Sequence, residues 1–353
     1  MCKNILITGG AGFIGTHTAL LLLSKGYKIT IIDSFINSDE LAINKLKKLS
    51  KEYYKISKIN IDLFKGDIRN KEFLNEIFLN AKKKNTPIDA VIHLAGLKSV
   101  RESVKYPLKY WNNNVNGSIN LVNVMEENNC RTMVFSSSAT IYGLNKNNLL
   151  SEENKLNPIN PYGMTKFVIE KLLNDIHKTQ NSGWGIINLR YFNPIGAHPS
   201  GEIGENPLDL PNNIFPLLTR VAIKKTKELK IFGNDWPTKD GTPIRDYIHI
   251  MDLASGHLLA LEFLFNNQND FHNINLGTGK GTTVLELIKT FKKVNSIDVP
   301  YIFSRRREGD CAKIVANNLL AKSILDWEPK YSIEDMCTDG WNWQLKNPNG
   351  YSS

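Results

Sequence analysis

The stretch Asn4-Ile-Leu-Ile-Thr-Gly9-Gly-Ala-Gly12-Phe-Ile-Gly15 decides the fold of this 353-residue chain. Its first residues are mostly apolar and predict a strand, and the apolar run after Gly15 predicts a helix. The glycines between them form a tight turn in which the backbone can approach a pyrophosphate. The N–H groups at the start of the helix then face the phosphates. The stretch therefore predicts the opening of a dinucleotide-binding fold.

A second predicted strand, residues 27–33, follows the helix and ends in Asp33. An acidic residue about twenty positions after the glycines binds the ribose 2′-hydroxyl in dinucleotide sites. No arginine follows Asp33 closely to accept a 2′-phosphate. The sequence therefore favours NAD over NADP.

Further strand patterns at residues 60–65 and 89–96 alternate with helical patterns. This alternation predicts an α/β protein with a doubly wound parallel (Rossmann-type) sheet and a smaller C-terminal α/β substrate domain. We expect residues 1–190, together with about 245–265, to form the NAD-binding domain. Residues 191–353 would then form the substrate domain.

Two segments predict the reacting groups. Phe135-Ser-Ser-Ser-Ala-Thr140 ends a buried strand in hydroxyls, and Pro161-Tyr-Gly-Met-Thr-Lys166 opens an amphipathic helix. Tyr162 and Lys166 are four residues apart and share a helix face. The ammonium is therefore expected to lower the pKa of the phenol from its usual value of about 10. With Ser138 as a proton path, the pair predicts that an ionised Tyr162 removes a proton from a substrate alcohol.

The Tyr-x-x-x-Lys spacing also occurs at Tyr54–Lys58 and at Tyr142–Lys146. The first copy lies in a charged run without a serine-rich strand before it. The second runs into a segment of loop composition. Only Tyr162–Lys166 has both the strand before it and the helix after it.

Composition limits the partners that we expect. The net charge is +9, but the lysines are dispersed with little aromatic interleaving, which predicts a solvated surface and no nucleic-acid partner. The four cysteines lack C-x-x-C spacing and the seven histidines lack ligand spacing, so neither a disulfide framework nor a metal site is expected. Without a recognisable leader or an apolar run of membrane-spanning length, a cytoplasmic protein with no membrane partner is expected.

Longer motifs resemble a known family. Residues 9–15, 94–98 and 135–140, with the Tyr162–Lys166 pair, are similar to the extended short-chain dehydrogenase/reductase superfamily. Within it, the second half resembles the UDP-glucose 4-epimerases. The motifs that carry this resemblance are residues 189–205, 210–213, 231–242, 245–252, 305–310 and 341–344.

The resemblance implies reversible 4-epimerisation of UDP-glucose and UDP-galactose. Tyr162, helped by Ser138 and Lys166, would take the proton of the 4-hydroxyl while tightly bound NAD accepts the hydride. The 4-keto sugar then turns and is reduced on its other face. Cofactor contacts are implied for Gly9, Gly12, Phe13, Ile14, Gly15, Asp33, Asn37, Asp67, Ile68, Leu94, Ala95, Gly96, Lys98, Asn113, Ser136, Tyr162, Lys166 and Tyr191. Contacts with the UDP-hexose are implied for Lys98, Ser138, Thr140, Tyr162, Phe192, Asn193, Asn213, Phe232, Arg245, Arg307, Asp310 and Ile314.

Side-chain chemistry agrees with part of this assignment, because Arg245 and Arg307 offer planar forks for a diphosphate and Phe232 could stack on a base. Other NAD-dependent nucleotide-sugar epimerases and 4,6-dehydratases remain alternatives. A dehydratase, however, would need an added acid–base pair where this chain has Ala139-Thr140. A catalytically dead redox-sensing module would be expected to lose the Tyr162–Lys166 pair.

Two finer expectations concern substrate range and assembly. Ile314 takes the position that, in the family, faces the sugar 2-substituent. Its intermediate size predicts weak or no action on UDP-N-acetylglucosamine. The helices near Tyr110 and Tyr162 have apolar residues to spare for a four-helix interface, which predicts a homodimer.

Overall fold

The structure, a computed structural model, describes residues 2–144, 149–180, 183–208, 211, 213–307 and 309–352. The first half alternates strands and helices. Its elements are β1 (Asn4–Thr8), α1 (Phe13–Ser24), β2 (Lys28–Asp33), α2 (Leu41–Glu52), β3 (Ile61–Lys65), α3 (Lys71–Lys83), β4 (Ile88–His93), α4 (Val100–Lys105), α5 (Pro107–Tyr110), a π-helical turn (Trp111–Asn116), α6 (Gly117–Glu127), β5 (Thr132–Ser138), a 3₁₀ turn (Ala139–Tyr142), α7 (Pro161–His177) and β6 (Gly185–Tyr191).

The second half has shorter strands. Its elements are β7 (Asn193–Ile195), α8 (Ile214–Ala222), β8 (Leu229–Phe232), β9 (Ile244–Arg245), β10 (Tyr247–His249), α9 (Ile250–Asn266), β11 (Phe271–Leu276), β12 (Thr282–Thr283), α10 (Val284–Asn295), β13 (Tyr301–Ser304), β14 (Lys313–Ile314), α11 (Leu319–Leu325), α12 (Ile333–Lys346) and a 3₁₀ turn (Gly350–Ser352).

Seven strands form one parallel sheet in the order β11-β6-β5-β4-β1-β2-β3. This order confirms the predicted doubly wound Rossmann-type fold. From β1 the next strands, β2 and β3, are added on one side, and β4, β5 and β6 are added on the other, so the strand order switches between β1 and β4. Ligands of such sheets bind at the carboxyl ends of the strands at this switch point. The late strand β11 extends the sheet beside β6.

The apolar residues of β1 explain how the sheet is covered on both faces. Ile5 and Ile7 belong to a core with α1, α2 and α9, whereas Leu6 belongs to a core with α3, α6 and α7. A strand that is buried on both sides needs apolar residues at consecutive positions, as the sequence of β1 shows. No helix in the described part of the chain is both long and apolar enough to cross a bilayer.

The second half builds a third core around Phe215, Leu287, Phe291 and Trp341. Three small sheets border this core: β10–β7, β12–β9–β14 and β13–β8. Asp246, which separates β9 from β10, is buried and accepts the N–H groups of Thr278, Gly279 and Ala316 at 2.8–3.1 Å. This carboxylate therefore ties three segments together next to Arg245 and Ile314.

Candidate active site

The glycine turn between β1 and α1 lies tightly against the end of β4. Gly9 has φ +71°, and a Cβ atom there would lie 2.9 Å from the Ala95 nitrogen. A Cβ atom on Gly15 would lie 2.5 Å from the Gly9 carbonyl oxygen. Gly12 is the N-cap residue, and Phe13 and Ile14 begin α1. The turn thus has the close backbone packing and free helix start that a dinucleotide pyrophosphate requires.

Asp33, at the end of β2, holds the glycine turn in place. Its Oδ2 accepts the N–H of Ala11 at 2.9 Å, and its Oδ1 accepts the N–H of Phe35 at 2.9 Å and the hydroxyl of Ser38 at 2.7 Å. Asp33 therefore orients the loops that border the site, and its contact with a ribose stays a prediction.

Other predicted cofactor residues lie along the same edge of the sheet. Leu94 donates its N–H to the Thr8 carbonyl at 3.1 Å, and the Ala95 N–H points to the Thr8 hydroxyl at 3.3 Å. Gly96 faces the Asn114 side chain, to which a Cβ atom would come within 3.3 Å. Next to β3, Asp67 pairs with Arg69 at 2.6 Å, and Ile68 is buried.

The glycine turn and the loop that carries Lys98 border a cleft at the carboxyl edge of the sheet. The second half of the chain partly closes its mouth. Phe13, Asn37 and Lys98 line it on one side, and Glu205 lines it on the other. The Lys98 ammonium lies 3.0 Å from the Glu205 carboxylate. Lys98, predicted to contact both cofactor and substrate, thus has a protein partner across the cleft.

Two neighbouring elements bring the predicted catalytic residues together. Ser138 ends β5, and Tyr162 lies in the first turn of α7, whose N-cap residue Asn160 accepts the Gly163 N–H at 2.8 Å. The Ser138 oxygen accepts the Thr140 hydroxyl at 3.0 Å. The hydrogen bond between Ser138 and the Tyr162 oxygen acts to lower the pKa of the Tyr162 phenol.

Lys166 lies one turn further along α7 and is buried. Its ammonium donates to the Ser136 carbonyl oxygen at 2.6 Å and lies 4.8 Å from the centre of the Phe135 ring. Burial lowers the pKa of Lys166 to about 7, and the charge of Glu170 opposes this effect.

The predicted direction of the Tyr162 pKa shift is wrong for the protein alone. Burial raises the pKa of the Tyr162 phenol, and the hydrogen bond with Ser138 only partly offsets this. The prediction assumed a full positive charge on Lys166, but the same burial lowers the pKa of that ammonium to about 7. Both groups of the pair favour their neutral forms when they are desolvated.

A π-helical turn next to the site positions the asparagines of residues 111–116. The Asn114 Oδ1 accepts the Leu97 N–H at 2.8 Å, and its Nδ2 donates to the Thr165 hydroxyl at 3.1 Å. Asn114 thus links α7 to the loop that carries Lys98. Asn113, predicted as the cofactor contact, precedes it in the same turn. π-Helical turns often occur at functional sites.

Tyr191, at the end of β6, is buried beneath Tyr162. Its hydroxyl hydrogen-bonds the Nε2 of His257, whose Nδ1 donates to the Leu253 carbonyl at 2.9 Å. Because Nδ1 is the donor, Nε2 accepts the Tyr191 hydroxyl. Burial raises the pKa of Tyr191, and a further hydrogen bond with Ser136 opposes this only in part.

The predicted diphosphate residues lie in the second half of the chain. Arg245 donates to the Cys311 carbonyl at 2.9 Å and forms an ion pair with Asp310. The Arg307 guanidinium lies 3.8 Å above the Phe232 ring. The Asp310 N–H donates to the Arg307 carbonyl at 3.2 Å and so connects the two pairs. Phe232, Arg245, Arg307 and Asp310 therefore form one group, the arginine cluster, in which one face of the Phe232 ring is already covered by a cation.

The remaining predicted substrate residues border this cluster. Asn193 pairs with Tyr247 between β7 and β10, and the Asn213 amide at the start of α8 lies 3.5 Å from Glu205. Phe192 belongs to a small core against which Ile314 packs.

The two alternative Tyr-x-x-x-Lys copies lie elsewhere. The Tyr54 hydroxyl is 3.2 Å from His198, and Tyr142 is buried and accepts a hydrogen bond from Arg190 at 3.0 Å. Lys146 lies outside the described residues. Neither tyrosine joins the Ser138 site.

Sequence reasoning missed three residues around the site: Glu170, Arg190 and Glu205. Glu170 could have been found, because it lies four residues after Lys166 on the same helix face. Arg190 and Glu205 lie within the motif of residues 189–205, but local spacing could not show that they reach the site, because each comes from a distant segment.

Comparison with known proteins agrees with this geometry. The family model described as GDP-mannose 4,6 dehydratase matches residues 6–340. UDP-glucose 4-epimerase 4 of Oryza sativa subsp. japonica is 47% identical over 351 residues, which are 99% of this chain and 92% of that relative. UDP-glucose 4-epimerase of Bacillus subtilis is 46% identical over 350 residues, 99% of both chains. The chain belongs to this family and, within it, to the UDP-glucose 4-epimerases.

A solved structure supports the same membership. UDP-glucose 4-epimerase from Stenotrophomonas maltophila, with bound NAD and formylated UDP-arabinopyranose, superimposes on this epimerase-family chain with a TM-score of 0.92. The two are 40% identical, and the match covers 98% of this chain and 99% of the other. The predicted resemblance is confirmed, and the relatives' names favour epimerase over dehydratase.

Proposed function

We propose that this chain interconverts UDP-glucose and UDP-galactose, with Tyr162 removing and returning the proton of the sugar 4-hydroxyl. The observation that carries this role is the meeting of Tyr162, Ser138 and Lys166 at the carboxyl edge of the sheet, beside the glycine turn. Ser138 donates to the phenol oxygen, and Lys166 in its protonated form would place positive charge next to it, so both would stabilise the phenolate when the proton leaves.

The residues of the cleft fit NAD. The Gly9–Gly15 turn leaves no room for side chains where a pyrophosphate must approach, and Asp33 borders the same turn. When bound, NAD supplies the acceptor for the hydride from C4 of the sugar, which passes through a 4-keto form. Since the hydride returns to the sugar, net redox change is zero and the cofactor can stay bound.

We propose that the arginine cluster binds the diphosphate of UDP. Arg245 and Arg307 offer guanidinium groups for charge-assisted hydrogen bonds, and binding energy placed there leaves the hexose free to turn. Residues 191–353 would thus bind the UDP-sugar, while residues 1–190 with about 245–265 bind NAD. The packing of α9 against α1 supports the inclusion of the later segment.

We further propose a cytoplasmic homodimer. Val104 of α4, Leu108 of α5 and Trp111 of the π-helical turn expose 64%, 82% and 36% of their surface. Both α4 and α5 pack beside α7, and exposed apolar residues close together in the chain fit a protein interface there. Free thiols on all four cysteines fit a reducing compartment.

The activity is tested with purified protein and UDP-galactose, without added cofactor, by assaying UDP-glucose. Conversion is expected for the wild type and is expected to be lost in Tyr162→Phe. Tyr53→Phe, which changes an exposed tyrosine, should behave as the wild type. If UDP-galactose stays unchanged even with NAD supplied, the proposed substrate is wrong; a 6-deoxy product would indicate the dehydratase alternative.

The dimer is tested by light scattering at micromolar concentration. Wild type should have twice the mass of one chain, and Leu108→Glu should shift it toward the monomer because the new charge would be buried at the interface. Leu345→Glu, at another exposed leucine, is the control. A monomeric wild type would contradict the proposal.

A further inference from the structure

A buried ion pair lies directly beneath Lys166. Glu170 is one turn further along α7, and its carboxylate receives two hydrogen bonds from the Arg190 guanidinium of β6, at 3.0 and 2.8 Å. The side chains of Arg190 and Glu170 expose only 2% and 5% of their surface. The Ser137 hydroxyl donates to the same carboxylate at 2.5 Å.

Stability alone does not account for this pair. Removing two charges from water costs several kcal/mol for each ion, and well-packed apolar residues often stabilise a core as well as a buried pair does. The Arg190–Glu170 pair therefore calls for a role beyond packing. Its position on the face of α7 that carries Tyr162 and Lys166 indicates which role that is.

We propose that Glu170 is a positioning residue for the epimerisation, acting through Lys166: its carboxylate, held by Arg190, places a negative charge one helical turn from the ammonium that lies beside Tyr162. The proposal rests on the function proposed above. Arg190 holds the carboxylate in place through its two hydrogen bonds. Tyr142 in turn receives an Arg190 N–H at 3.0 Å and donates to Asn275 at 2.7 Å, which anchors the network in β11.

The other groups around Lys166 do not provide this charge. On α7, Tyr162 is neutral until it gives up its proton. From β4, His93 faces Lys166, but burial lowers the pKa of His93 to about 3, so it is neutral at working pH. From β5 come the Ser136 carbonyl and the Phe135 ring, neither of which titrates. Glu170 is the negative group that raises the pKa of Lys166 against the effect of burial.

The test compares the pH dependence of kcat for the holoenzyme in three variants. In Glu170→Gln, Lys166 should lose its proton at lower pH, so the alkaline limb of the profile should move down by about one pH unit. KM for UDP-galactose should change little. Ser137→Ala removes a hydrogen bond from Glu170 but leaves its charge, so its alkaline limb should stay at the wild-type position.

Glu170→Gln leaves Arg190 buried without its partner and could unfold the protein. The third variant, Glu170→Gln with Arg190→Met, removes both charges and should shift the alkaline limb in the same direction but by less, because the positive charge of Arg190 is also gone. Folding is checked by circular dichroism and by retained NAD absorbance. A folded variant with the wild-type profile would overturn the proposal, as would an equal shift in Ser137→Ala, or failure of both Glu170 variants to fold. An inactive wild type would instead overturn the proposed function.

Discussion

The catalytic face of α7 has buried and paired charges, whereas the arginine cluster of the second half includes the exposed guanidinium of Arg307 beside the paired Arg245. Lys166 and Glu170 are buried, and their partners, the Ser136 carbonyl and Arg190, belong to the central sheet. Arg307, by contrast, is exposed and lies on the Phe232 ring. The first region has its charges fixed before any ligand arrives. In the second, by our proposal, ligand binding replaces protein partners.

This difference separates chemistry from binding. Fixed and desolvated charges act strongly on a proton transfer, because little water screens them and they need no rearrangement. Exposed guanidinium groups are suited to capturing a diphosphate, which replaces water and neighbouring side chains. We therefore expect changes in the first region to alter kcat and changes in the second to alter KM.

Lys166→Met should have the largest effect. It removes the buried ammonium next to Tyr162, and kcat should fall by about 100- to 1,000-fold with KM nearly unchanged. Steady-state conversion of UDP-galactose measures both constants. Lys171→Met, at an exposed position of the same helix, should retain wild-type activity. A change in KM with kcat unchanged would contradict the proposed difference between the two regions.

Arg307→Ala should raise KM for UDP-galactose by about 10- to 100-fold, because it would remove the charge-assisted hydrogen bonds that we propose to the diphosphate. Its kcat should stay close to that of the wild type. The neighbouring Arg306→Ala is a matched control, since Arg306 instead pairs with Asp235 at 2.8 Å and lies over Trp236. Equal effects of the two substitutions would argue against a specific contact by Arg307.

Ile314→Ala should increase turnover of UDP-N-acetylglucosamine by about tenfold, because a smaller side chain leaves space at the sugar 2-position. Wild type should act on this sugar weakly or not at all. Ile302→Ala, on the exposed strand β13, serves as the control. Robust turnover of the N-acetylated sugar by the wild type would contradict the role assigned to Ile314.

A separate prediction concerns stability on acidification. Burial lowers the pKa of His17 and His93 to about 3 and of His257 to about 4, below their value of about 6.5 in the unfolded chain. The unfolded state thus binds more protons below pH 6.5. The free energy of unfolding should fall by about 1–2 kcal/mol per imidazole between pH 7 and pH 5.

Thermal unfolding at pH 7, 6 and 5 measures this dependence. His93→Gln should reduce the loss of Tm on acidification, whereas His272→Gln, at a partly exposed histidine of β11, should leave it unchanged. A Tm that is constant from pH 7 to pH 5 would show that these imidazoles are not buried in the neutral form.

Local patterns in the sequence determined the parallel sheet, the glycine turn with Asp33 and the shared face of Tyr162 and Lys166. Each rests on spacings of a few residues, where strand and helix periods and turn chemistry fix the geometry. The resemblance to epimerases added the second-half residues, since their partners in space cannot be read from spacing.

Only the tertiary structure decided how the charges are paired. Lys98 and Glu205 are 107 residues apart in the chain, and Glu170 and Arg190 meet only because β6 lies next to β5 beneath α7. The direction of the Tyr162 pKa shift likewise depends on what surrounds the phenol. Desolvation and ion pairing arise from segments brought together by folding, so the short-range pattern that predicted the catalytic pair could not predict its protonation.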